Sequence, residues 1–268
     1  MQGNKILCMA FSLEKLLVQR IHPKNQEAEK DKMSKEIKCE MGFIISPPCG
    51  IMEYMEVGIL SSIIVTCGSN YCTFVSDGRC VTYNEYGKIN GIKQDDFRKI
   101  FKLNDKVIYG RTGKFFTKVE NPSGVDLLEP FKEYPDKSIM TMPIALKSIL
   151  KYLDKEKLKG NNHFQTHILG GKDNKGQFCI YTVQYKNAET PYEPQRYDFL
   201  GENMLQVRMS VPNIPAETVT KILNRHIYAK AQSRTDHKEL IFDMEQCVND
   251  IAKIDETVGG KIFVESVF

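Results

Sequence analysis

Apolar positions along the chain follow two different periods. Residues 61–80, SSIIVTCGSNYCTFVSDGRC, read as two apolar strands joined by a tight turn. Asp77-Gly78 at the far end is a hairpin-turn dipeptide. RKIFKLNDKVIYGRTG predicts a second hairpin with Asn104-Asp105 at its tip, and THILGGKDNKGQFCIYTVQYK a third that turns at Asp173 to Gly176. YDFLG adds a further strand. The period then lengthens in MPIALKSILKYLDKEKL, where Ile144, Leu146, Ile149, Leu150 and Leu153 fall on one helical face. Two more helices are expected in PAETVTKILNRHIYAKA, with Pro215 near its first turn, and in KELIFDMEQCVNDIAKI. VGGKIFVESVF closes the chain as a glycine turn and a last strand.

Hairpins that alternate with helices argue for an α+β protein of antiparallel sheets covered by helices, not for a parallel βαβ sheet. Two sheets between two helical layers fit the count. Residues 1–60 have a different character. HPKNQEAEKDKMSKEIKCE is a mixed charge run with no apolar face, and ISPPCG is a linker signal. The expected organisation is an extension over 1–60, with few contacts to the rest, and a folded domain over 61–268.

Composition narrows the function classes. The chain has 268 residues, 41% hydrophobic and 26% charged, with a formal net charge of +3. That charge is too small to argue for nucleic acid or an anionic membrane, and no apolar stretch reaches the length of a membrane span. The opening MQGNKILCMAFSLEKLL reads as a weakly amphipathic segment, not a signal peptide. The eight cysteines form no CxxC pair, and no histidine stands at zinc-ligand spacing from them. Reduced core thiols are expected, with no metal and no cofactor, in a cytoplasmic protein (or a nuclear one as well, in a eukaryote). His163, His167, His226 and His237 have no evident nucleophile or ligand partner and read as structural or surface residues.

Four segments in order, SSIIVTCGSNYCTFVSDGR, RKIFKLNDKVIYGRTG, ILGGKDNKGQFCIY and DETVGGKIFV, resemble proteasome β-type subunits and their bacterial proteasome-like relatives, within the N-terminal-nucleophile hydrolase superfamily. The resemblance spans roughly residues 61–268. It implies a four-layer αββα sandwich, two antiparallel sheets between helical layers. It also implies site residues: Ser61 as nucleophile, Asp77 at the end of the second strand, Lys99 before an apolar run, Gly110 as the backbone donor to the oxyanion, and Asp255 ahead of the last glycine turn. The sequence departs from the family pattern in four places. Glu202 and Val258 stand where serines are usual, the nucleophile is Ser and not Thr, and Leu60 precedes it in place of Gly.

In such an enzyme the α-amino group of the first residue is the base. Its ordinary pKa of about 8 suits that work, so residues 1–60 would have to be removed to free Ser61. Lys99 would lower the pKa of the amine and hydroxyl, Asp77 would orient Lys99, and Glu202 would oppose both. Three functions stay open: an N-terminal-nucleophile peptidase of threonine or serine type, a non-catalytic proteasome-like subunit that keeps its extension, and a stand-alone amidase for a small substrate. The expected partners are a peptide or amide substrate and related subunits in a ring.

Overall fold

A computed structural model describes residues 54–59, 62–83, 88–118, 126–161, 163–198, 206–210, 214–230 and 236–268. Ser61, Leu60 and Glu202 lie outside the described residues, as does the charge run at 22–40. Among the described residues twelve strands form two antiparallel sheets.

The smaller sheet holds β2 (Ile63–Cys67), β3 (Cys72–Ser76), β11 (Gln206–Ser210) and β12 (Phe263–Val267), in the order β11-β2-β3-β12. The β2–β3 hairpin is in register from Ile63↔Ser76 to Cys67↔Cys72, closed by a bond from Gly68 N–H to Tyr71 C=O.

The larger sheet holds β1 (Tyr54–Ile59), β4 (Cys80–Tyr83), β5 (Ile89–Gln94), β6 (Ile100–Lys102), β7 (Val107–Lys118), β8 (Gln165–Lys172), β9 (Phe178–Tyr185) and β10 (Gln195–Asp198). Its order is β10-β9-β8-β7-β1-β4-β5, with β6 also on β7.

Three helices complete the described fold: α1 (Met142–Leu158), α2 (Ala216–Leu223) and α3 (His237–Ala252). Thr141 caps α1 by accepting from Ile144 N–H, and Asp236 caps α3 by accepting from Glu239 N–H. Pro215 precedes α2, whose end widens into a single π-turn over Asn224–Tyr228.

Three main apolar cores follow from this layout among the described residues, beside a small cluster of Val81 and Tyr83. Ala145, Ile149 and Leu153 of α1 pack on Tyr109, Leu169, Val183 and Tyr185 of the larger sheet. Ile63, Val65 and Phe74 of the smaller sheet meet Ile100, Ile108, Ile168 and Ile180 of the larger one. Ile64 and Val75, on the other face of the smaller sheet, meet Ile222, Met244, Cys247 and Ile251 of α2 and α3. Consecutive residues thus feed different cores, which is why residues 63–67 are buried throughout instead of alternating. The buried stripe of α1 runs through Ala145, Ile149, Tyr152, Leu153 and Glu156. Ile144, Leu146 and Leu150, expected on the buried face, lie at its half-covered flank.

Two local expectations are corrected. Asp77-Gly78 is not the tip of a hairpin, because β3 belongs to the smaller sheet and β4 to the larger, and the dipeptide carries the chain between them. The larger sheet already takes in residues 54–59, ahead of the boundary expected at Ser61. Strand β1 is the reason: it pairs with β7 from Tyr54↔Lys118 to Ile59↔Gly113 and with β4 at Val57↔Thr82 and Gly58↔Val81.

Candidate functional site

The site is built where the chain passes between the sheets. It leaves the larger sheet at Ile59 and enters the smaller one at Ile63. Just there Ser62 N–H donates to Asp77 Oδ1 at 3.0 Å, and Asp77 N–H donates to Ser62 C=O at 3.3 Å. Asp77 Oδ2 accepts from Lys99 Nζ, Arg79 N–H and Gly259 N–H, each at 3.1 Å. Lys99 also donates to Arg79 C=O at 2.5 Å. Both Asp77 and Lys99 are fully buried. A buried ion costs several kcal/mol of desolvation unless it is paired and hydrogen-bonded, and here four donors converge on one carboxylate. Burial pushes the Asp77 carboxyl up, against the lowering effect of Lys99 and the backbone donors. Burial likewise pushes the Lys99 amine down, against the raising effect of Asp77.

Arg79 and Gly259 belong to this site, although neither stands out in the sequence. The Arg79 guanidinium reaches Glu256 C=O at 3.1 Å and Asp95 Oδ1 at 2.8 Å, which ties the 255–260 turn to the β3–β4 passage. Gly259 has φ +148°, and an added Cβ would lie 2.8 Å from Arg79 Cζ. Only glycine gives that backbone geometry cheaply, and it is this geometry that aims the Gly259 N–H at Asp77. The GG pair before the last strand was the available signal.

Asp255 shapes the same turn. Its Oδ1 accepts from Thr257 N–H at 2.8 Å and Thr257 Oγ1 at 2.6 Å. Its Oδ2 is buried and has no hydrogen-bond partner among the described residues, and the same holds for Ser62 Oγ and Ser76 Oγ. Val258, at the position of a usual serine, is fully buried in the core under α2 and α3.

Gly110 is not where a glycine ending its strand would be. β7 continues to Lys118, and Gly110 is packed between the sheets, its missing side chain replaced by Ile63, Ile100 and Phe74. Its N–H is also committed. Arg111 N–H donates to Lys99 C=O and Leu103 N–H to Val107 C=O, so odd-numbered residues of this stretch bond towards β6. Lys172 N–H donates to Lys106 C=O, so even-numbered residues bond towards β8. The alternation of an antiparallel ladder therefore turns the Gly110 N–H to Ile168. Gly113 is the residue that this alternation turns the other way. It pairs with Ile59 at the end of β1, with φ +142°.

Comparison with known proteins gives a likeness among solved structures. The crystal structure of eukaryotic HslV from Trypanosoma brucei matches with a TM-score of 0.42 and 11% sequence identity, over 77% of this chain and 98% of that one. No family model matches, and no curated protein matches.

The remaining candidates lie elsewhere. Cys67, Cys72, Cys80, Cys179 and Cys247 are buried thiols outside any disulfide, and burial pushes Cys80 up to about 11, which leaves it protonated and unreactive. His167 is buried against Tyr109 Oη at 2.8 Å, and His226 pairs with Asp250 at 2.8 Å. His237 does meet a hydroxyl, Thr73 Oγ1 at 3.0 Å, at the end of β3 remote from Asp77. Its Nδ1 is buried without a partner among the described residues, so no carboxylate orients the ring there. No cluster of metal-ligating side chains is found among the described residues, nor any helix long and apolar enough to cross a membrane.

Proposed function

We propose that this chain is the precursor of a proteasome-like N-terminal-nucleophile amidohydrolase, a peptidase that works through Ser61 once residues 1–60 are removed, and that its three cores stack as an αββα sandwich. The observation that supports the reading is the buried Lys99–Asp77 pair, set beside Ser62 where the chain changes sheets. In this reading Ser61 Oγ attacks the carbonyl carbon of an amide and gives its proton to the freed α-amine. The amine passes that proton to the departing nitrogen as the C–N bond breaks, and water then hydrolyses the ester. The charge on Lys99 favours the unprotonated amine and the developing alkoxide. The N–H of Gly113, not of Gly110, is the donor for the oxyanion, since it is released when β1 leaves. The slot between β4 and β7 then accepts an extended peptide in place of β1.

One observation favours a second reading, a structural subunit that is never cut. β1 is hydrogen-bonded on both sides within the larger sheet, as a permanent strand would be. In an uncut chain the Ser61 nitrogen is a peptide N–H and cannot act as a base. In either reading the chain assembles with related subunits, which native mass spectrometry measures.

N-terminal sequencing of the protein isolated from its own cell separates the two. A mature chain that begins at Ser61 and loses peptide hydrolysis on Ser61→Ala, with unchanged thermal stability, supports the enzyme. Intact residues 1–60 on assembled, inactive protein overturn it.

A further inference from the structure

A groove of about 280 Å³ lies on the outer side of α1, bounded by the chain at 129–134. It is separate from the Asp77–Lys99 site. Four lysines, Lys147, Lys151, Lys155 and Lys159, edge it at intervals of four residues, and Lys132 joins them from the facing turn. The side chains of Lys151, Lys155 and Lys159 are each more than half exposed. The floor is polar and buried. Tyr152 closes it, its hydroxyl accepting from the buried Arg111 guanidinium at 2.6 Å.

The groove also contains three carboxylates, and their arrangement decides what it can take. Glu156 is turned down to Lys159 and Asn161, at 2.9 and 2.5 Å. Glu129 stands 3.9 Å from Lys132. Glu133 bridges Lys151 at 2.6 Å and Lys155 at 3.4 Å. Asp126, from beside the groove, also reaches Lys132 at 3.6 Å; five lysines against these four carboxylates still leave a positive excess, and Glu133 shows how an anion sits on the ladder, between two successive lysines.

Spacing selects the shape of the ligand. Four residues of α-helix rise about 6 Å. Two residues of extended chain rise about 6.6 Å. We propose that the groove receives an extended acidic segment of a partner protein with a carboxylate at every second residue, each meeting one rung of the lysine ladder. Flexible lysine stems absorb the small mismatch along the run. Glu133 acts as an internal competitor for two of the rungs.

The test uses the full chain and a fluorescein-labelled peptide, acetyl-Glu-Ser-Glu-Ser-Glu-Ser-Glu, followed by fluorescence anisotropy at low and physiological salt. Its block isomer, with the four glutamates contiguous, is the control. Exposed ion pairs contribute up to about 1 kcal/mol. Lys147→Gln and Lys155→Gln should therefore each weaken binding about two- to fivefold, and the alternating peptide should bind more tightly than the block. Glu133→Gln should tighten binding by a similar factor, because it frees two lysines; circular dichroism checks that each variant is folded. Equal affinity for the two peptides overturns the proposal, as does indifference to all three substitutions. Tighter binding of an RNA oligonucleotide or inorganic polyphosphate through the same lysines would overturn it too, by making the groove a general polyanion site. None of these readouts depends on hydrolysis, so they stand apart from the fate of Ser61.

Discussion

Lys99 Nζ lies 3.1 Å from Asp77 Oδ2, with neither side chain exposed to water, and the two residues flank strands of different sheets. Asp77 follows the end of β3 in the smaller sheet. Lys99 immediately precedes β6, which is paired to β7 in the larger one. The contact therefore ties the sheets together at one end, and the same carboxylate holds the start of β2 and the turn before β12.

Removing one partner leaves the other ion buried alone, which costs about 3–5 kcal/mol. Lys99→Met should lose stability in that range by urea unfolding at pH 7. Burial already pushes the Asp77 carboxyl up, and without Lys99 it rises further. A carboxyl whose folded pKa exceeds its unfolded pKa favours the folded state as it takes up a proton, so the deficit of Lys99→Met should shrink as pH falls from 7 towards 5. A deficit that stays constant over that range would assign it to lost packing instead of unpaired charge.

Gly259→Ala puts a Cβ 2.8 Å from Arg79 Cζ and forces alanine to φ +148°. Backbone strain of this kind costs about 1–3 kcal/mol. In an Arg79→Ala background the steric part should vanish while the backbone part remains. Chemical denaturation of the two single variants and the double variant measures the difference. Strict additivity would show that the guanidinium does not press on the turn.

The strand hairpins were legible because each carries a short-range signal. Asn104 accepts from Lys106 and Val107 N–H at its turn, as its place in the sequence suggests. The pairing of Asp77 with Lys99 was reached through family resemblance and not through spacing, since it depends on how two sheets stack. Three things were not legible. Residues 54–59 adjoin a linker-like ISPPCG, yet they gain both ladder edges from β4 and β7, a tertiary effect that local pattern does not carry. The choice between Gly110 and Gly113 needs the ladder parity, which a one-residue register change reverses. The buried stripe of α1 includes Tyr152 and Glu156 because Arg111 and Asn161 satisfy them from outside the helix.

His167 is fully buried, and burial together with the nearby Arg111 charge holds its pKa well below the usual histidine value. It remains neutral in the fold while the unfolded chain takes up a proton near pH 6.5. Stability should thus fall as pH drops below about 6.5, with a slope approaching about 1.4 kcal/mol per pH unit from this group. His167→Asn should lose that slope while it pays a packing penalty independent of pH. The check is urea unfolding at a series of pH values from 7.5 to 5. An NMR titration of His167 with a midpoint near 6.5 in the folded protein would contradict the expectation.

The ladder parity of β7 yields a residue-by-residue prediction for β1. Odd-numbered residues turn their N–H groups towards the edge where β1 lies, so Gly113, Phe115 and Thr117 are bonded to β1, while Gly110 and Thr112 are bonded to β8. In the uncut chain all five amides should exchange slowly with deuterium. Cleavage before Ser61 cuts the covalent link between β1 and β2. If the strand then leaves, the odd set should exchange at least about a hundredfold faster, with the even set unchanged. If both sets stay slow, β1 is a permanent strand and the slot needed for a peptide substrate does not open, which favours the uncut structural subunit. Rapid exchange of Gly113, Phe115 and Thr117 before any cut would mean that β1 is not held in the sheet. In the proposed enzyme a freed Gly113 N–H is the donor to the oxyanion, so hydrogen exchange on this one strand tests whether that site can form at all, before any substrate is chosen.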